Sequence, residues 1–180
     1  VDATDYDGDT VTLDPNDFEI TVVDDIPELT PATEDGSVDE DDLATGLSTG
    51  TDTPGINPLT ATGDLSPLVT SGTDEDATWS LDGSDFSGLP VLTSKGDAIT
   101  YSVAGDTLSA TAAGPRTVFD LVLNSDGTYT FTLYDQLDHA AGNGENTIVI
   151  DFSSVVDATD YDGDTVTLDP NDFEITVVDD

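Results

Sequence analysis

Residues 157–164 read Asp-Ala-Thr-Asp-Tyr-Asp-Gly-Asp, four carboxylates in eight positions around one glycine. Hard cations such as Ca2+ take six to eight oxygen ligands, often from alternating Asp in a glycine-containing loop. The spacing of Asp160, Asp162 and Asp164 is that of the first half of an EF-hand. Gly163 comes too early for that loop, however, and the position that needs a bidentate Glu holds Asn171. A different Ca2+ loop is expected, with Asp157, Asp160, Asp162 and Asp164 completed by Asp179 and Asp180. The competing reading is a solvated acidic turn.

The same octet stands at 2–9, which makes Asp5, Asp7 and Asp9 equivalent candidates. Asp24-Asp25-Ile26-Pro27 follows, then Glu34-Asp35-Gly36 and Asp39-Glu40-Asp41-Asp42. Carboxylates at 24, 25, 34 and 35 are placed to share ions across a joint, which would stiffen it; the alternative is acidity for solubility. Asp135 and Asp138 precede the chain's one histidine, His139. With loop carbonyls they form a further Ca2+ candidate, while His139 reads as structural. No catalytic arrangement is visible: there is no Cys, and no Ser is spaced to pair with the His. Carboxylate pairs carry no information about glycoside hydrolysis in a chain with forty acids.

The composition agrees with cation chemistry. Two basic residues face forty acidic ones, a formal net charge of -38. Binding to nucleic acid needs Lys and Arg to neutralise phosphates, so it is excluded; docking on an anionic membrane surface is disfavoured for the same reason. Thirty-three acids are Asp and seven are Glu, a bias toward turns and hard-cation sites over helices. Leu, Ile, Val and Phe supply 45 of the 180 residues, above the roughly 20% below which a highly charged chain is expected to be disordered. Self-repulsion must still be offset, and bound cations are the obvious means. The absence of Cys rules out disulfides and thiolate metal sites. No apolar run approaches the ~18 residues that cross a membrane. No signal peptide is visible, and no phosphate-binding glycine loop or small-molecule substrate site is read.

Residues 1–25 and 156–180 are identical. The period is 155 residues, so the chain reads as the last 25 residues of one repeat, a linker at 24–27, and a complete repeat over 26–180. Near-identical tandem copies suit a spacer, whose length matters more than any unique site. The partners expected are therefore neighbouring repeats.

The elements that must position these residues are strands. Ala98–Val103 and Thr107–Ala112 flank a turn, and Thr117–Leu123 and Thr128–Tyr134 flank Asn124-Ser125-Asp126-Gly127. Thr147–Val156 reads as one strand, and Thr165–Leu168 and Phe173–Val178 read as a hairpin around Asp169-Pro170-Asn171-Asp172. Alternation turns Tyr129, Phe131, Leu133, Phe173, Ile175 and Val177 to the core. Ile26–Thr33 is expected as an edge strand, Leu65–Thr70 as a short element, and Thr78–Leu81, with Trp79, as the return to the core. The rest of 34–76 reads as loop, parts of it a disordered linker on the alternative reading. Short strands at this spacing indicate an antiparallel β-sandwich. If every link is a hairpin, loop 157–164 shares one pole with Asp179 and with the turns at Asp106 and Asp126, and loop 135–146 and turn 169–172 lie at the other.

The repeat as a whole resembles the long tandem repeats of giant type I-secreted bacterial adhesins, the RTX adhesins. Asp41-Asp42-Leu43-Ala44-Thr45-Gly46, Leu92-Thr93-Ser94-Lys95-Gly96, Asp135-Gln-Leu-Asp138-His139, Gly144-Glu145-Asn146-Thr147 and Thr176-Val-Val-Asp179-Asp180 carry the resemblance, together with the Asp octet. The Gly-Gly-x-Gly-x-Asp nonapeptide of that group is absent, as suits a repeat from the middle of an array. The resemblance implies an all-β, Ig-like Greek-key sandwich that acts as a non-enzymatic, Ca2+-stiffened extender, secreted and displayed on the cell surface. The rival function is a carbohydrate- or protein-binding module whose long loop forms a site.

Overall fold

The computed structural model describes residues 1–44, 59–72, 76–142 and 146–179. Asp180 lies outside them, as do 45–58 and 73–75 of the long segment expected to be loop.

Among the described residues the chain is all-β. In chain order the strands are β1 (Asp2–Thr4), β2 (Thr10–Thr12), β3 (Glu28–Leu29), β4 (Glu34–Asp39), β5 (Thr60–Asp64), β6 (Val69–Thr70), β7 (Thr78–Leu81), β8 (Thr93–Ser94), β9 (Asp97–Ala98), β10 (Thr100–Ala104), β11 (Thr107–Ala112), β12 (Arg116–Leu123), β13 (Thr128–Leu133), β14 (Thr147–Asp151), β15 (Val156–Thr159), β16 (Thr165–Thr167) and β17 (Phe173–Val178). Helix is confined to three 3-10 turns of three residues each.

The largest sheet has the order β10-β11-β12-β13-β5 and is antiparallel throughout. Two three-stranded sheets, β14-β17-β4 and β16-β15-β7, supply much of the rest of the core. Phe119 and Phe131 of the large sheet meet Phe152, which links β14 to β15, with ring centroids 6.1 and 6.0 Å away. Tyr129 meets Phe173 of β17 at 4.6 Å. These rings join the sheets into one sandwich-like core. Period-2 alternation holds as expected: Tyr129, Phe131, Leu133, Phe173, Ile175 and Val177 are all buried. Trp79 is buried as well, and the Asn124–Gly127 turn closes its hairpin with Gly127 at φ +90°.

Three expectations about connectivity are corrected. The run 147–156 is not one strand. It breaks at Phe152 into a 3-10 turn over Ser153–Val155, and β15 then enters a different sheet. Residues 169–172 do form a turn, with the Asp172 N–H donating to the Asp169 carbonyl at 3.0 Å. That turn crosses between sheets, however: β16 pairs β15, while β17 lies between β14 and β4. The β17–β4 ladder is parallel, so the architecture is not purely antiparallel. β4 and β5 fall in the stretch expected to be loop. Their sequences, Glu-Asp-Gly-Ser-Val-Asp and Thr-Ala-Thr-Gly-Asp, carry little strand propensity. What makes them strands is pairing with β17 and β13.

Residues 1–23 stand apart from the core. β1 and β2 form an isolated hairpin, and Val11, Phe18, Ile20, Val22 and Val23 are all exposed.

Candidate metal centres

The octet of the complete repeat is held by a β-hairpin. β15 and β16 pair through Thr159↔Thr165, and β15 is also tied to β7 through Thr159↔Thr78. Across the mouth, the Thr159 and Thr165 hydroxyls are 2.8 Å apart. The Asp160 N–H donates to the Asp164 carbonyl at 3.0 Å. Asp160 Oδ1 accepts from the Gly163 and Asp164 N–H groups at 3.0 and 2.9 Å. Gly163 has φ +109°, a conformation closed to side chains with a Cβ. Asp160 is thus drawn inward and is only 6% exposed, and its Oδ2 has no partner. A buried carboxylate oxygen without a donor is costly, and a cation would satisfy it.

Asp162 and Asp164 lie at this loop, and Asp24 comes to them: the three offer oxygens all within 4.8 Å of one another. The Asp162 carboxyl is pushed up to about 6, first by its hydrogen bond with Asp160, then by burial, and then by the charges of Asp24, Asp160 and Asp164. Proton retention at that pH reports concentrated negative potential, which a bound cation would relieve. The donor set consists of oxygens alone, the chemistry Ca2+ requires. Asp157 is engaged elsewhere, its Oδ1 accepting from the Thr167 hydroxyl at 2.6 Å.

Asp179 does not complete this loop, contrary to the sequence expectation. It gathers instead with Glu40 and His139, and its N–H donates to the Asn146 carbonyl at 2.8 Å. The two groups lie at opposite ends of β13. The turn before β13 holds Trp79, whose N–H donates to the Ser125 carbonyl and which pairs with Ala158 beside the octet. The end of β13 leads to Asp135–His139. Six strand residues separate these ends, roughly 20 Å. The error follows from counting the 169–172 link as a simple hairpin.

Asp24 is the residue that stands one repeat upstream of Asp179. The residue just after one repeat's β17 sequence therefore lies with Asp162 and Asp164 of the next repeat. Carboxylate sharing at the joint was expected, but through other residues. Glu34 accepts from the Tyr129 hydroxyl at 3.2 Å. Asp35 sits opposite Glu174 in the β4–β17 ladder, and the Asp25 carboxylate lies against Gly72. Among the described residues, the group around Asp24 includes none of these three.

In the upstream copy, Asp5, Asp7 and Asp9 also bring oxygens within 4.8 Å of one another. Its local bonds match: Asp9 N–H to Asp5 Oδ1 at 2.9 Å, and Thr12 hydroxyl to Asp2 Oδ1 at 2.6 Å. Every residue of that loop is exposed.

Asp135 is held by the chain's only Lys and only Arg. Lys95 Nζ lies 2.6 Å from Oδ1, and Arg116 Nη1 lies 2.5 Å from Oδ2. Burial alone would raise the Asp135 carboxyl, but the Lys95, Arg116 and Gln136 hydrogen bonds outweigh it and hold the group below the ordinary range. Asp138 accepts from the Lys95 and Gly96 N–H groups at 2.7 and 2.8 Å, pinning the β8–β9 turn. These two carboxylates brace a turn and neutralise two cations. The pairing of Asp135 with Lys95 and Arg116 was not part of the sequence reading, because these partners are 19 or more residues away. Glu40 stood in the run read for ion sharing at the joint, and its meeting with His139, 99 residues away, was not legible for the same reason.

An Asp135→Asn variant is therefore expected to lose about 1–3 kcal/mol of stability at pH 7, toward the lower end because the Lys95 side chain is 41% exposed and screened by solvent. A carboxyl depressed in the folded state stabilises above its unfolded value and loses that contribution as pH falls. The gap between parent and variant should thus close below about pH 4. Urea titrations at pH 7 and pH 3 test this; a gap that persists at pH 3 contradicts the ion-pair origin.

No family model, curated protein or solved structure matches the chain. Among the described residues, no helix is long and apolar enough to cross a membrane.

Proposed function

We propose that this chain is a Ca2+-stiffened spacer, an Ig-like extender repeat of a bacterial surface adhesin that holds a distal ligand-binding region away from the cell. The observation that carries the reading is the meeting of Asp24 with Asp162 and Asp164. A cation bound there joins the residue that follows one repeat's final strand to the body of the next. Motion at the joint is then limited by metal–oxygen bonds rather than by a free linker. The exact recurrence of 25 residues at a spacing of 155 supports an array, and the charge of -38 supplies self-repulsion that favours extension once the joints are held. A cavity lined in part by Ser66, Asp76, Trp79 and Asp126 lends the ligand-binding rival little support: Trp79 is 4% exposed and offers no free aromatic face for a sugar ring.

The test is small-angle scattering from a polypeptide of four tandem copies of residues 26–180. Millimolar Ca2+ is expected to lengthen it into a rod, and Asp→Asn at the positions of Asp162 and Asp164 in every copy should return it to a flexible chain. Dimensions that respond equally to Ca2+ and to NaCl of matched ionic strength would sink the reading, and specific glycan binding in an array screen would favour the rival.

A further inference from the structure

Glu40 and His139 meet at the opposite end of the domain from the octet, each side chain only 2% exposed. Glu40 begins the 3-10 turn that follows β4, and its Oε1 accepts from the Leu137 N–H at 2.7 Å. His139 Nε2 is 3.4 Å from that same oxygen, long for a hydrogen bond, and His139 Nδ1 has no partner. Asp179, directly after β17, offers an oxygen within 4.8 Å of both. Its position is set by the Val178↔Asp39 pairing and by the Asn146 carbonyl. A buried imidazole with one nitrogen at the limit of contact and the other unbonded has unmet demand for a partner.

We propose that Glu40, His139 and Asp179 form a site for a divalent transition-metal ion of the zinc class, chemically distinct from the all-oxygen site at the other end. One imidazole nitrogen with two carboxylates is a donor set that suits zinc, and Ca2+ has no use for the nitrogen. Ligands about 2.0–2.1 Å from a tetrahedral ion lie about 3.3–3.4 Å from one another. The 3.4 Å separation of Nε2 and Oε1 fits a shared ion better than a direct hydrogen bond. Glu40 and Asp179 sit on backbone fixed by turn and interstrand hydrogen bonds, and the Asp138 N–H beside His139 donates to the Thr93 carbonyl at 2.9 Å, so little order has to be created on binding. In the present chain this site shares no residue with the calcium site; in an array, Asp179 of one repeat stands where Asp24 does for the next, and its two carboxylate oxygens would serve both ions.

The experiment is a Co2+ titration of the full chain in millimolar Ca2+, which fills the oxygen-only sites. The expected result is one Co2+ per chain with the strong visible absorption of tetrahedral cobalt, displaced by equimolar Zn2+. His139 is the only histidine, so its imidazole 15N signals are assigned without ambiguity and should shift on Zn2+ addition. Asp179→Asn should weaken Co2+ binding about tenfold or more. His139→Gln should abolish binding, and Asp162→Asn should not affect it. Weak octahedral bands alone, unmoved His139 signals, or an Asp179→Asn chain that binds as tightly as the parent would each overturn the site.

Discussion

Millimolar Ca2+ is expected to raise the melting temperature of this chain by about 5–10 °C over a chelator control. A ligand at 100 times its Kd that binds only the folded state adds about 2.7 kcal/mol, and for a domain of this size each kcal/mol moves melting by about 2–4 °C. Asp162→Asn with Asp164→Asn should remove most of the gain, and Asp7→Asn with Asp9→Asn should leave nearly all of it. The two loops have the same sequence and most of the same internal bonds, the Gly163 N–H meeting Asp160 Oδ1 where the Gly8 N–H meets the Asp5 carbonyl, so the main difference is one of anchoring. Loop 160–164 rests on β7 and β15 and has a buried Asp160; loop 5–9 rests on an exposed two-stranded hairpin. Ordering a loose loop around an ion costs about 1–2 kcal/mol of backbone entropy per residue. The gain, rather than the absolute melting point, is the quantity to compare. The raised Asp162 carboxyl means that folding opposes its ionisation at neutral pH, so Asp162→Asn should raise stability in chelator. NaCl that reproduces the Ca2+ gain, or equal losses from the two double variants, would defeat the site.

Phe173→Ala is expected to cost about 3–5 kcal/mol, and Phe18→Ala should stay within about 0.5 kcal/mol of the parent. Both phenylalanines stand in the same sequence, Asp-Phe-Glu-Ile-Thr-Val-Val. Phe173 is fully buried against Tyr129 and Phe152, with centroids 4.6 and 5.7 Å away. Phe18 is 67% exposed. Truncating Phe173 opens a cavity where the sheets meet; truncating Phe18 exchanges solvent contacts for solvent contacts. Chemical denaturation of the two single variants decides it. A Phe18 effect comparable to that of Phe173 would mean that the upstream segment is packed in solution after all.

The repeated 25 residues separate what the sequence determines from what only tertiary structure decides. In both copies the hairpin forms with one register, Asp2↔Thr12 in the first and Asp157↔Thr167 in the second. Gly8 and Gly163 both turn at positive φ. Each contact within that hairpin spans twelve residues or fewer, so its partners travel with the sequence, and the acidic loop was legible for that reason. The following six residues behave otherwise. Phe173–Val178 is a strand because β14 and β4 flank it, while the identical Phe18–Val23 pairs with nothing in a ladder and lies exposed. Its alternation told that one face needed burial, but not against what. The same limit hid the meeting of Asp24 with Asp162, of Asp135 with Lys95 and Arg116, and of Glu40 with His139 and Asp179. A strand makes no hydrogen bonds of its own, and a carboxylate takes its role from whatever lies beside it. Both depend on partners that only the folded chain brings near.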